Sequence, residues 1–161
     1  MTAEKKSAIP LAQVTFNLCE KLEHFPSIFF SKLVQRCGGW AVGYLVPDHD
    51  HTGKPWASPE EYRKACGYRK SANRDGQESP EEYSNRVSGV MRVFFHIVKI
   101  SPTTAPLYIM LRLPKVWIWF SRMLNDSRLL GHPVAPQIIY SASYSLFFNL
   151  FSVADVFLPL S

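Results

Sequence analysis

Between Tyr62 and Arg74 the chain carries Arg63, Lys64, Arg69, Lys70 and Arg74 with no carboxylate among them. The chemistry open to such a run is electrostatic: guanidinium and ammonium groups hold phosphates through charge-assisted hydrogen bonds. Lys32 and Arg36, four residues apart on an expected helix, add two cations on one face. Two readings of the window stand side by side. The cations are a solvated surface complementing the negative end of a short helix, or they converge on the phosphates of a polyanion.

Other chemistry is sparse. Asp48, His49, Asp50 and His51 offer four metal-binding side chains in a row, but adjacent residues cannot all converge on one ion, so a solvated loop is expected. His24, His96 and His132 are isolated; His96 lies beside an apolar helical stripe, where a satisfied boundary histidine is the expectation. Gly38, Gly39 and Gly43 lack the spacing of a phosphate-cradling loop. No Gly-x-Ser-x-Gly elbow occurs, and scattered cysteines and histidines define no dyad. The expectation is a binding domain with no catalytic residue and no metal.

A chain of 161 residues fits one domain. Its 47% hydrophobic content is far from that of a disordered chain, so a core should form. A net charge of +5 and a pI near 9.2 favour an acidic partner: nucleic acid, an anionic membrane surface, a polyphosphate or an acidic protein. Cys19, Cys37 and Cys66 build neither a disulfide framework nor a C-x-x-C metal signature, which points to a reducing compartment. Residues 1–7 do not read as a secretory signal, so cytosol or nucleus is expected.

Helices must position the cations. Pro10 opens a pattern with Leu11, Val14, Leu18 and Leu22 on one face, predicting a helix to about His24 with proline in its first turn. Phe25-Pro26 restarts a helix through Phe29, Phe30, Leu33 and Cys37, stopped by Gly38-Gly39. After an ordered strip from Trp40 to Pro47 comes an exposed loop. Ser58-Pro59-Glu60-Glu61-Tyr62 recurs as Ser79-Pro80-Glu81-Glu82-Tyr83, and both are capping boxes. The first opens a short helix ending near Gly67. The second opens a long one, with Tyr83, Val87, Val90, Met91, Phe94, Ile97 and Val98 as its buried stripe. Pro102, Pro106 and Pro114 break the next region, and Pro114 starts a helix through Trp117, Phe120 and Leu124 to about Asn125. Without strand alternation, the fold class expected is all-α, with stacked antiparallel helices in a HEAT-like arrangement.

Several of these features, in this order, resemble the C-terminal domain of the GLE-one family of nucleoporins and mRNA export factors. That is a helical-repeat domain similar to the middle domains of translation initiation scaffolds. Ile9-Pro10-Leu11-Ala12 looks like its opening helix, followed by His24-Phe25-Pro26, the helix ending Lys32 to Cys37, and the Glu61-Tyr62 helix ending in Gly67-Tyr68. Ser88-Gly89-Val90-Met91-Arg92-Val93-Phe94, preceded by Arg86, resembles the family's S-G-x-[MI]-R-x-[YF] helix. Trp117-x-Trp119-x-x-Arg122-x-Leu124-Asn125 resembles its W-x-W helix. The resemblance covers residues 8–142.

It implies a non-enzymatic activator of a DEAD-box RNA helicase at the cytoplasmic face of the nuclear pore, promoting RNA release during mRNA export. In the fungal branch it implies inositol hexakisphosphate as a bridging ligand held by basic residues. Lys32, Arg36, Arg69 and Lys70 are the candidate ligands here. The DEAD-box helicase and other nucleoporins are the implied partners, with phospholipid and translation factors as further ones and no direct nucleic acid.

After Ala142 the pattern departs. Family members continue through amphipathic helices, whereas residues 143–161 are apolar on all sides, so the helical domain is expected to be incomplete and the tail to be a truncated or mis-spliced end. Two alternatives belong to other classes. The stretch from Leu129 to Ala154, uncharged apart from a neutral His132, is long enough to suit a tail-anchored membrane protein, and the basic charge suits a direct RNA-binding helical module.

Overall fold

The computed structural model describes residues 2–72, 75–100 and 111–154. Arg74, Pro102, Pro106 and the tail from residue 155 lie outside the described residues. The element on which the others pack is α4 (Pro80–Ile100), which buries Tyr83, Val87, Met91, Phe94, Ile97 and Val98 as the periodicity predicts, together with Phe95, while Val90 of the expected stripe is only partly buried. α1 (Thr2–Lys21), α2 (Phe25–Cys37) and α7 (Ala135–Ala154) lie against it. α3 (Pro59–Ala65), α5 (Leu113–Asn125) and the short α6 (Ser127–Leu130) complete an all-α fold.

Both capping boxes form. Ser79 Oγ accepts from the Glu82 amide at 3.1 Å, and Glu82 reaches back to the Ser79 amide at 2.7 Å. Ser58 Oγ accepts from the Glu61 amide at 3.2 Å, while the Glu61 carboxylate bonds one residue further back, at the Ala57 amide.

Helix α1 differs from expectation twice. It begins at Thr2 and runs through Pro10, because the preceding Ala, Glu and Lys residues favour helix enough to carry a proline whose missing amide costs one bond. Its apolar face is also turned round. Leu11, Val14 and Leu22 are each more than half exposed, whereas Ala8, Ala12, Thr15, Phe16 and Cys19 are buried. Both stripes have helical spacing; the inward one has the small side chains that let two helix backbones approach closely. In α5, likewise, Val116, Trp119, Phe120 and Met123 point in, while Trp117 and Leu124 point out.

Helix α7 runs through residues 142 and 143 without a break, and Ser141, Ala142, Ser145 and Leu146 are buried. Its serines meet α4: Ser145 Oγ lies 3.5 Å from His96 Nε2. Burial, with help from Lys99 and Arg92, lowers the His96 pKa, so this histidine is neutral in a helix interface. Among the described residues, no helix is long and apolar enough to cross a membrane.

Gly38-Gly39 ends α2 as expected. Gly38 takes a φ of 59° and its amide donates to the Val34 carbonyl. A short 3-10 turn, Gly38–Val42, then drops Trp40 into the core. Trp40 Nε1 donates to the Tyr83 hydroxyl at 2.9 Å, Tyr83 donates to the Cys66 carbonyl at 2.8 Å, and Trp119 Nε1 donates to the Trp40 carbonyl at 2.7 Å. This buried relay ties together the 3-10 turn, α4, α5 and the end of α3.

A side chain at position 39 has no room, because its Cβ would lie 2.0 Å from the Tyr44 carbonyl oxygen. The backbones cannot separate freely, since the Tyr44 amide donates to the Gly39 carbonyl at 2.9 Å. Gly39→Ala should therefore destabilise the fold by about 3 kcal/mol or prevent its accumulation. Urea unfolding measures this, and an unchanged midpoint would contradict the packing.

Candidate functional site

A helix leaves its last carbonyls without intrahelical partners, and at the end of α2 those partners come from far along the chain. Arg69 Nη2 donates to the Gln35 carbonyl at 3.3 Å. Arg86 Nη1 donates to the Arg36 carbonyl. With Gly38 on Val34, three successive carbonyls are occupied. Two of the three donors are guanidinium groups, so the negative end of α2 becomes a positive surface.

Arg86 arises from α4 and is half-buried beneath this surface. Its Nε donates to Glu78 Oε1 at 2.6 Å and its Nη2 to Glu78 Oε2 at 2.8 Å, while Nη2 also reaches the Gly67 carbonyl at 2.9 Å. The guanidinium lies over the Tyr83 ring, 5.3 Å from its centroid. Glu78, buried, clamps Arg69 in turn. Its carboxylate accepts from the Arg69 amide at 3.0 Å, and its amide donates to the Arg69 carbonyl at 2.8 Å.

The structure brings three of the four expected ligands to one place. Lys32 Nζ donates to Gln35 Oε1 at 3.1 Å while Arg69 holds the carbonyl of the same residue. Arg36, exposed one helical turn beyond Lys32, acts electrostatically on Arg69. Lys70 is exposed and follows Arg69 along a segment whose backbone pairs with Gln77, so it sits beside the cluster. Of the remaining basic window, Arg63 lies 6.0 Å from the centroid of the half-buried Tyr68, which stacks on Tyr83 at 3.9 Å.

Lys32, Arg36, Arg69 and Arg86 set four cations around the carboxylate of Glu78, and that carboxylate is taken up by Arg86. The field shows in the titration behaviour. Partial burial together with the positive charge of Arg36 and Arg86 pushes the Arg69 pKa down from its ordinary value. Burial also raises the Cys37 thiol, to about 12, although Arg86 and Arg69 are close by, so it is no thiolate nucleophile at neutral pH.

Sequence reasoning missed Glu78, and it noted Arg86 only as part of a motif. The pair is eight residues apart across a helix start, and nothing local marks it as buried. The Asp-His run, by contrast, is a turn in which the Asp50 carboxylate accepts from the Thr52 amide and hydroxyl and from the Lys54 amide. Among the described residues, no group of three His, Cys, Asp or Glu side chains is placed to hold a metal.

A family model described as GLE1-like protein matches residues 1–145. No curated protein matches the chain. Among solved structures, a Saccharomyces cerevisiae complex described as the Dbp5 C-terminal domain bound to Gle1 and IP6 matches with a TM-score of 0.67 and 18% identity, over 94% of this chain and 50% of the solved one. A second such complex, with a variant Gle1, matches with a TM-score of 0.70 at the same identity and coverage. At this identity the likeness is one of fold, and the chain spans about half the length of the solved chains it matches.

Burial raises the Glu78 carboxyl, but the Arg86 side chain and the Arg69 amide outweigh it and hold its pKa below the ordinary 4.5. A depressed carboxyl contributes stability that is present above its unfolded pKa and lost as pH falls through the folded one. Unfolding followed from about pH 6 to about pH 3 should therefore show wild type losing more stability than Glu78→Gln, whose residue does not titrate. Parallel losses in the two proteins would refute the assignment.

Proposed function

This chain belongs to the GLE1-like protein family, and we propose on that premise that it acts without catalysis of its own as a helicase-docking module of mRNA export. Its ligand is inositol hexakisphosphate, held at the end of α2 by Lys32, Arg36 and Arg69 with Lys70 beside them. The partner is the C-terminal lobe of a DEAD-box RNA helicase at the cytoplasmic face of the nuclear pore. With the ligand shared between the two surfaces, the domain favours the helicase form that releases RNA.

The observation that carries this reading is the concentration of cations at a helix end whose carbonyls are already taken. A compact polyphosphate gains from several charge-assisted contacts at once, and each guanidinium adds donors in a fixed fork. Arg69 spends one donor on Gln35 and keeps others for phosphate. Lys32 is exposed and its bond is to a solvent-facing amide, so an incoming phosphate displaces it at little cost. Capping the α2 carbonyls accounts for one donor each of Arg69 and Arg86, whereas the exposed Lys32 and Arg36 are not needed for that capping and add charge beside it.

Calorimetric titration with inositol hexakisphosphate tests this. The double variants Lys32→Ala/Arg36→Ala and Arg69→Ala/Lys70→Ala should each weaken binding by about tenfold or more, since each removes two charged contacts. Unchanged affinity in both would remove the site, and no binding by wild type would remove the ligand.

A further inference from the structure

We infer that the Arg86–Glu78 pair is the positioning device of the polyphosphate site, fixing the spacing between the cations on α2 and Arg69 on the segment after α3. This rests on the reading of Lys32, Arg36 and Arg69 as polyphosphate ligands. The two arms of that site belong to separate elements; Arg69 itself reaches across through one bond to the Gln35 carbonyl at 3.3 Å, and the rest of the connection runs through one guanidinium and one carboxylate. Arg86 holds the α2 arm through the Arg36 carbonyl and the end of the α3 segment through the Gly67 carbonyl at 2.9 Å. Glu78 holds the Arg69 arm through both backbone groups, at 3.0 Å and 2.8 Å. The two then close on one another through a bidentate pair at 2.6 Å and 2.8 Å.

The acceptors that Arg86 uses are therefore the backbone carbonyl of the candidate ligand Arg36, a carbonyl two residues before Arg69, and the carboxylate of the residue that clamps Arg69. The pair is also buried: side-chain exposure is 19% for Arg86 and 9% for Glu78. Both groups direct these hydrogen bonds to protein atoms, so both act through their neighbours. Rigid second partners of this kind hold ligating groups in productive geometry, and loosening them by an ångström degrades a site whose own residues are intact.

Charge and position make opposite forecasts for one substitution. Glu78→Gln removes a carboxylate from the neighbourhood of the site; if charge alone governed affinity, inositol hexakisphosphate would bind more tightly. If the pair positions the arms, the variant binds about tenfold more weakly, because the amide cannot accept the fork as a carboxylate does and the side-chain half of the clamp on Arg69 is weakened, leaving the main-chain bond from position 78 alone to hold it. Arg86→Lys keeps the charge but replaces a planar fork by a point donor, and should weaken binding to a similar degree. In both variants fewer cations reach the ligand together, so affinity should depend less steeply on ionic strength than in wild type.

The measurement is calorimetry with inositol hexakisphosphate at two ionic strengths on wild type, Arg36→Ala, Glu78→Gln and Arg86→Lys, each shown folded by circular dichroism at the titration temperature. Should Glu78→Gln fail to fold, Arg86→Lys decides. Equal or tighter binding by a folded Glu78→Gln, or unchanged binding by Arg86→Lys, overturns the positioning role while a weakened Arg36→Ala leaves the site standing. Absence of binding by wild type, or an unaffected Arg36→Ala, removes the site reading and the inference with it.

Discussion

Arg86 presents five N–H donors in a plane and is too far from bulk water to leave them unmet. Its partners are a carboxylate and two main-chain carbonyls on three segments that are distant in sequence: the end of α2, the turn after α3 and the approach to α4. Because a half-buried guanidinium tolerates few alternative sets of acceptors, its position defines theirs. Glu78 closes the system by neutralising Arg86 and fixing Arg69 at the same time. A single desolvated charge pair thus sets the end of α2, the Gly67 turn and the loop after it, and the exposed cations inherit their places from it.

This pair works because α4 is itself immobilised. Tyr83, one turn before Arg86, is fully buried, accepts from Trp40 and donates to Cys66. Its ring lies parallel to that of Tyr68 at 3.9 Å, which places the residue directly before Arg69. The aromatic stack and the ion pair therefore brace the same stretch from two sides, one through apolar contact and the other through charge. The 3-10 turn carrying Trp40 needs Gly39 without a side chain, so the tolerance of the site reaches back to a glycine that touches no ligand.

Helix existence was legible along the sequence because it depends on local facts. Two serine-proline-glutamate-glutamate caps, the Gly38-Gly39 stop and the long stripe of α4 all form where spacing places them. Face selection was not. In α1 two stripes share helical periodicity, and the one with larger leucines is the outer one. In α5 the same offset turns Trp117 out and Trp119 in. Periodicity states that a helix has an apolar side and does not state which neighbour will approach it, nor how close the backbones must come.

By itself the sequence determined the helical class, the starts and stops of most helices, and an excess of cations split between Lys32 to Arg36 and Arg63 to Lys70. Those follow from side-chain chemistry within a few residues. It did not determine that Lys32, Arg36 and Arg69 would share one surface while Lys70 stands beside it, or that Glu78 and Arg86 would hold them there. Contacts across 34 residues, as between Arg69 and Gln35, exist only once α2 and α4 are packed. The carbonyls at the end of α2 needed donors, and only tertiary structure decided that arginines would supply them.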